Sequence, residues 1–214
     1  MSRYIYKLIA EGEHQRQDFK FQISDSKKIA RTLVAFANTD GGKLLIGVKD
    51  NGVVAGIRSA EEMYMIEAAG DMYCRPKVET TIKEWNIDGK MVLEVDVKRS
   101  NELHSAPSKE GKYMVFVRVK DQNIMANAVL VEARRKKNSK YGVSISYNET
   151  QQTLMSYLND HEEITLNEFA SLTSISRYKA KRILVDLLAT NIIEIHLTEN
   201  SATYSINKDY FSEE

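Results

Sequence analysis

At 214 residues, with 43% apolar and 28% charged side chains, the chain has the composition of a soluble globular protein of one large or two small domains. Net charge is zero, so global charge argues for no nucleic-acid or membrane partner; its distribution is uneven, with 25 Lys and Arg against 19 Asp and Glu in residues 1–144 and 5 against 11 in residues 145–214. The single cysteine, Cys74, excludes an internal disulfide and a multi-cysteine zinc site, and no apolar run approaches a signal core or a membrane span, so a cytoplasmic location without membrane contact is expected.

Phe19, Phe21 and Ile23 alternate with Asp18, Lys20 and Gln22, the period of a half-buried strand, with Asp18 and Lys20 sharing its opposite face. Ser26–Asn38 predicts an amphipathic helix with Ile29, Leu33, Phe36 and Ala37 inward, and Lys43–Val48 a buried strand. Asp50–Asn51–Gly52 is a hairpin signal that predicts a type I′ turn and a return strand over 53–57. A helix over 59–73, a hairpin across Asp88–Gly89, a strand over 112–120 with Tyr113, Val115, Val117 and Val119 alternating, and a closing helix over 124–137 complete an α+β domain with a mixed sheet and packed helices.

Residues 1–137 are thus expected to form the first domain, 138–146 a basic linker and 147–214 a second domain. There the pattern predicts a helix over 148–158, a capping box of Thr165 and Glu168 opening a short helix, a turn at Thr173–Ser174–Ile175, and a third helix capped by Ser176. Ala180, Ile183, Leu184, Leu187 and Leu188 form its apolar stripe, and strands over 192–197 and 202–206 follow. Helix, helix, turn, helix, hairpin is the order of a winged helix-turn-helix.

Three stretches carry a family resemblance. Glu13 with Asp18–Phe19–Lys20, Ala35–Phe36–Ala37–Asn38–Thr39–Asp40–Gly41–Gly42 and Ile46–Gly47–Val48–Lys49–Asp50–Asn51–Gly52 resemble, in order, the Glu…Glu-Phe-Lys, Ala-Phe-Ala-Asn-x-x-Gly-Gly and Gly-Val-x-Asp-x-Gly signatures of the Schlafen AlbA-like family, with Arg118 a fourth match. Asp18 stands where that family has glutamate, and Lys49 where it often has an acid. The resemblance spans roughly residues 10–135 and implies an AlbA-like fold, DNA binding or transcriptional regulation and, in some relatives, RNA cleavage by a carboxylate cluster or divergent AAA-type ATP binding. A C-terminal winged helix is also common in it.

The residues bear on each of these activities. In phosphate loops a strand enters the glycines and a helix leaves them; here a helix ends at Gly41–Gly42, so these read as a C-cap and a tight re-entry, Gly47 as a close backbone approach and Gly52 as a turn glycine, and no ATP site is expected. Asp18 and Lys20 on one strand face, with Glu13 upstream and Asp50 in a nearby turn, are the donors of a Mg²⁺-dependent nuclease, or else a solvated strand face and a turn aspartate. His14, His104, His161 and His196 lack metal spacing.

Lys27, Lys28 and Arg31, Arg118 and Lys120, and Arg134, Arg135, Lys136 and Lys137 could together form one phosphate-contacting face. Arg177, Tyr178, Lys179, Lys181 and Arg182 lie off the apolar stripe of the third C-terminal helix, as recognition-helix contacts would. The leading expectation is a non-enzymatic, DNA-binding transcriptional regulator, homodimeric, without metal or cofactor, with RNA the other nucleic acid open to it. A nuclease using Glu13, Asp18 and Asp50 with Mg²⁺, or a protein-interaction adaptor, are the alternatives.

Overall fold

The structure, a computed structural model, describes residues 2–140, 142–143, 145 and 147–211. The chain divides into two units, one ending at Met125 and the other beginning at Ala126. No helix among the described residues is long and apolar enough to cross a membrane.

The first unit runs α1 (Ser2–Glu11), β1 (Gln17–Lys20), α2 (Ser26–Ala37), β2 (Gly42–Ile46), α3 (Glu61–Met72), β3 (Thr80–Ile87), β4 (Lys90–Val97), β5 (Ala106–Pro107), β6 (Tyr113–Met114), β7 (Phe116–Val119) and β8 (Gln122–Met125). β1 pairs parallel with β2, and β4 and β3 follow antiparallel, giving the mixed sheet order β1-β2-β4-β3. Alternate residues of β2 and β4 feed two cores. Leu44, Ile46, Leu93 and Val95 pack with Leu33, Phe36 and Ile66 of α2 and α3, while Leu45 and Val92 pack with Phe19, Ile87 and Ile5 of α1.

Asp25 caps α2 by accepting from the Lys27 N–H at 2.8 Å. At its other end Gly41, at φ +69°, donates to Phe36 O at 2.9 Å, and a Cβ there would stand 2.7 Å from Val97 O. A Cβ on Gly42 would meet the Phe36 ring at 2.6 Å, so the pair permits a tight return of chain into β2.

Four expectations in this unit are corrected. Gln17–Lys20 is shorter than the predicted strand and buried along most of its length, because its second face is covered as well. The turn after β2 is a three-residue loop: Gly52 N–H donates to Lys49 O at 2.7 Å and Gly52 alone takes positive φ, so it is not type I′. Residues 53–57 make one bridge, Val48 to Val54, before Ala55 and Gly56 donate to Gly47 O, so no return strand forms. The strand over 112–120 is two short pieces. α1, which places Ile5, Leu8 and Ile9 on the sheet, is absent from the sequence reading.

The second unit comprises α4 (Ala128–Lys137), α5 (Glu149–Asp160), β9 (Ile164–Thr165), α6 (Leu166–Leu172), α7 (Arg177–Ala189), β10 (Ile193–Leu197), β11 (Ala202–Ile206) and a 3₁₀ turn Lys208–Phe211. Its antiparallel sheet runs β10-β11-β9. The capping box of Thr165 and Glu168 is formed, Ser176 caps α7, and Ser174 takes φ 53° in the turn between α6 and α7. The sequence puts a helix over 124–137 at the close of the first domain. Instead 122–125 is a strand, and α4 packs Val129 and Ala133 into the second core with Leu154, Phe169, Leu184 and Tyr204. Of the expected linker, residues 141, 144 and 146 lie outside the described residues, while Val143 and Ile145 pack against that second core.

Candidate nucleic-acid interface

Arg118, expected among the phosphate contacts, is interior, its side chain 1% exposed. The guanidinium donates to Gln17 O at 3.0 Å, Asn123 Oδ1 at 3.0 Å and His14 O at 3.3 Å, stands 3.4 Å from Asp18 Oδ1, and lies over the Phe36 ring. Its planar fork satisfies several acceptors at once, which removes it from any external phosphate. Thr39 completes this node by accepting from the Arg118 N–H at 2.9 Å.

The Arg118 node also decides the carboxylates. Asp18 is buried and not on a solvated face. Its Oδ2 is sealed from solvent without an aligned hydrogen bond, although Lys20 Nζ stands 3.1 Å away, so that contact is ionic. Glu13 accepts from the Phe19 N–H at 2.8 Å, with Lys20 Nζ at 3.9 Å. Burial first, then the adjacent Asp18 carboxyl, raise Glu13 to about 7, and a Glu13 that keeps its proton supplies Asp18 with a donor. Asp50 is exposed in its turn. Among the described residues no three His, Cys, Asp or Glu side chains gather as a metal site, so Glu13, Asp18 and Asp50 do not assemble as one cluster.

A raised carboxyl pKa means that the folded state holds the proton more tightly. Its stabilisation is therefore full below the unfolded value of 4.5 and is lost as pH rises through about 7. Glu13→Gln mimics the protonated form and keeps the acceptor for Phe19. The variant is expected to match wild type near pH 4.5 and exceed it by about 1–2 kcal/mol at pH 8, discounted for the solvent that reaches a partly exposed side chain. Urea unfolding across that range checks this; a gap that closes with rising pH contradicts it.

The opposite sheet face holds a site absent from the sequence reading. Glu94, 1% exposed, accepts from Lys43 Nζ at 2.7 Å, Tyr4 OH at 2.8 Å and Trp85 Nε1 at 2.9 Å, and Lys43 also reaches Asp96 at 2.8 Å. Despite burial, these donors hold the Glu94 carboxyl below its ordinary range, while the two acids raise Lys43. All five residues serve each other beneath α1, a structural arrangement.

The basic residues are spread over both units. Lys27 and Lys28 are exposed in the first turn of α2, with Lys27 over the Tyr73 ring, Arg31 is partly buried, and Lys120 is exposed at the β7–β8 turn. In the second unit Lys136 pairs with Asp186, Lys137 donates to Asn191 Oδ1 at 3.0 Å, and Lys181 pairs with Glu132 at 2.6 Å. These contacts align α4 and α7 in the same direction. The basic turn Arg134–Lys137 thus lies towards the C-terminal end of α7, roughly 13 Å along the helix from Arg177 at about 1.5 Å per residue. It does not merge with the basic start of α7, where Arg177, Tyr178, Lys179 and Arg182 are exposed while Lys181 is half-buried in its ion pair.

No curated protein matches the sequence. The DIP2311 protein of Corynebacterium diphtheriae superposes with TM-score 0.47 at 16% identity, over 73% of this chain and 36% of that one, so this chain spans about a third of its length. The N-terminal domain of a RecG-related protein from Nitrosomonas europaea gives TM-score 0.35 at 24% identity, over 44% of this chain and 72% of that one. The family described as Schlafen, AlbA_2 matches residues 13–127, more than half of the chain, and covers the Glu13–Asp18 pair, the glycine turn and the Arg118 node, so the protein belongs to that family.

Proposed function

We propose that this protein binds nucleic acid and acts on DNA as a transcriptional regulator, working as a homodimer whose second unit is a winged helix. One observation carries the reading. Arg177, Tyr178, Lys179 and Arg182, at the start of α7, are exposed, and among the described residues their side chains have no intramolecular partner. In a unit with an excess of acidic residues, a free cationic helix start is what a duplex backbone attracts. Family membership supports the same reading for the first unit, whose exposed Lys27 and Lys28 offer a separate contact.

Arg182→Ala tests this directly. A phosphate contact predicts a salt slope reduced by about one unit, and a base contact a loss of roughly 1–3 kcal/mol at one base position. Lys28→Ala is the control, with binding followed by electrophoretic shift on DNA and on RNA. If Arg182→Ala binds as wild type while Lys28→Ala loses binding, the first unit is the reader and the second an adaptor. Metal-dependent cleavage is the second reading, and it would rest on Glu13 beside Asp18, with Lys20 Nζ 3.9 Å from the Glu13 carboxyl. A cleavage gel with Mg²⁺ decides it: cleavage abolished by Glu13→Ala would replace the regulator with a nuclease.

A further inference from the structure

In the second unit a cavity of about 590 Å³ lies between the starts of α4, α6 and α7 and the β10–β11 turn, with Asn127, Asn167, Arg177, Tyr178, Asn200 and Tyr204 among its lining. We infer that this cavity takes one unpaired nucleotide, at the junction of a bound duplex with a single-stranded overhang. The inference rests on the nucleic-acid reading above and names the form of nucleic acid preferred.

The volume is in the range of small-ligand sites, roughly 300–1,000 Å³, and is enough for one nucleotide. Its chemistry is that of base edges. The Asn167 and Asn200 side chains are exposed at its rim, and each carboxamide offers two donor hydrogens and an acceptor, the complement of an unpaired base's Watson–Crick edge. Buried Tyr204 accepts from Asn127 Nδ2 at 3.4 Å, and among the described residues its own hydroxyl proton has no acceptor. The lining also includes Ala128, Val129, Leu166 and Ala202, apolar surface on which the face of a base can lie.

Tyr178 is 67% exposed beside the cavity and offers a ring face to a base, whereas a paired and stacked base has no face to give. Charge points to a single nucleotide. Lys181 is neutralised by Glu132, which leaves the Arg177 guanidinium as the unpaired cation among the lining residues. Lys179 and Arg182 are absent from the lining and remain for the adjoining duplex backbone. A free mononucleotide shares the nucleotide chemistry, but would leave those two cations unused.

The experiment measures fluorescence anisotropy of the whole protein with a blunt duplex, with the same duplex carrying a short overhang, and with the overhang duplex plus a millimolar free mononucleotide. The overhang is expected to tighten binding about tenfold over the blunt duplex, with little effect of the mononucleotide. Combining Asn167→Ala with Asn200→Ala should erase that ratio, and Arg182→Ala should weaken both duplexes alike. Equal affinity for the two duplexes in wild type, or an unchanged ratio in the double variant, overturns the inference while leaving duplex binding intact. Loss of the overhang advantage to the free mononucleotide reassigns the cavity and also overturns it. Failure to bind either duplex defeats the nucleic-acid reading itself.

Discussion

Replacing Arg118 with leucine is expected to destabilise the first unit by about 3–5 kcal/mol, the cost of removing one partner from a buried ion pair and stranding the other. The buried Asp18 carboxylate would lose its guanidinium, and Gln17 O, His14 O and Asn123 Oδ1 their donors. Trp85, the sole tryptophan, lies in β3 of this unit, so its fluorescence in urea isolates the effect. Arg118→Lys should recover only part of the loss, since an ammonium cannot replace the fork. The double variant Arg118→Leu with Asp18→Leu should lose less than the two single losses added together, because no charge is then left stranded. A change below about 0.5 kcal/mol, as for a surface substitution, combined with weakened nucleic-acid binding would restore Arg118 to the phosphate contacts expected from sequence.

Local chemistry was legible in the sequence. The Ser26 helix start, the Asp88–Gly89 hairpin and the caps at Thr165 and Ser176 are written in neighbouring residues and form as read. Alternation tells which residues share a face and not what covers it, and for Asp18 the cover is β7, which a hundred residues later brings Arg118 onto that face. Glu94 and Lys43 lie about fifty residues apart on separate strands, and only the register pairing Leu45 with Glu94, together with α1 above, makes them one site. α1 carries a signal, Ile5, Leu8 and Ile9 at i, i+3 and i+4, but three apolar residues in so short a segment do not say what they pack against. Periodicity does not say which unit α4 joins, because its Val129 and Ala133 could serve either core equally well. Its reciprocal pairs, Glu132 with Lys181 and Lys136 with Asp186, are long-range information.

The same limit applies to the glycine-rich motif, and Asn38 carries the second large effect. Its buried carboxamide accepts from the His104 N–H at 2.9 Å and donates to His104 O and Phe116 O, each at 2.9 Å, binding the end of α2 to two distant segments. Asn38→Leu keeps much of the volume but leaves three main-chain groups unsatisfied at about 1–3 kcal/mol each, partly relieved by relaxation, so a loss of about 3–5 kcal/mol is expected. Asn38→Asp is the sharper variant. It retains the acceptor for His104 N–H, loses both donors, and faces two carbonyl oxygens with a carboxylate. It should therefore lose as much as the leucine variant at pH 7 and recover as the pH falls and the new carboxyl protonates, becoming a donor to one of them. Urea unfolding followed at Trp85 at pH 7 and pH 5 measures both. Full stability of Asn38→Asp at pH 7 would mean that the asparagine is not the clamp described, and that the motif's conformation is set by Gly41 and Gly42 alone.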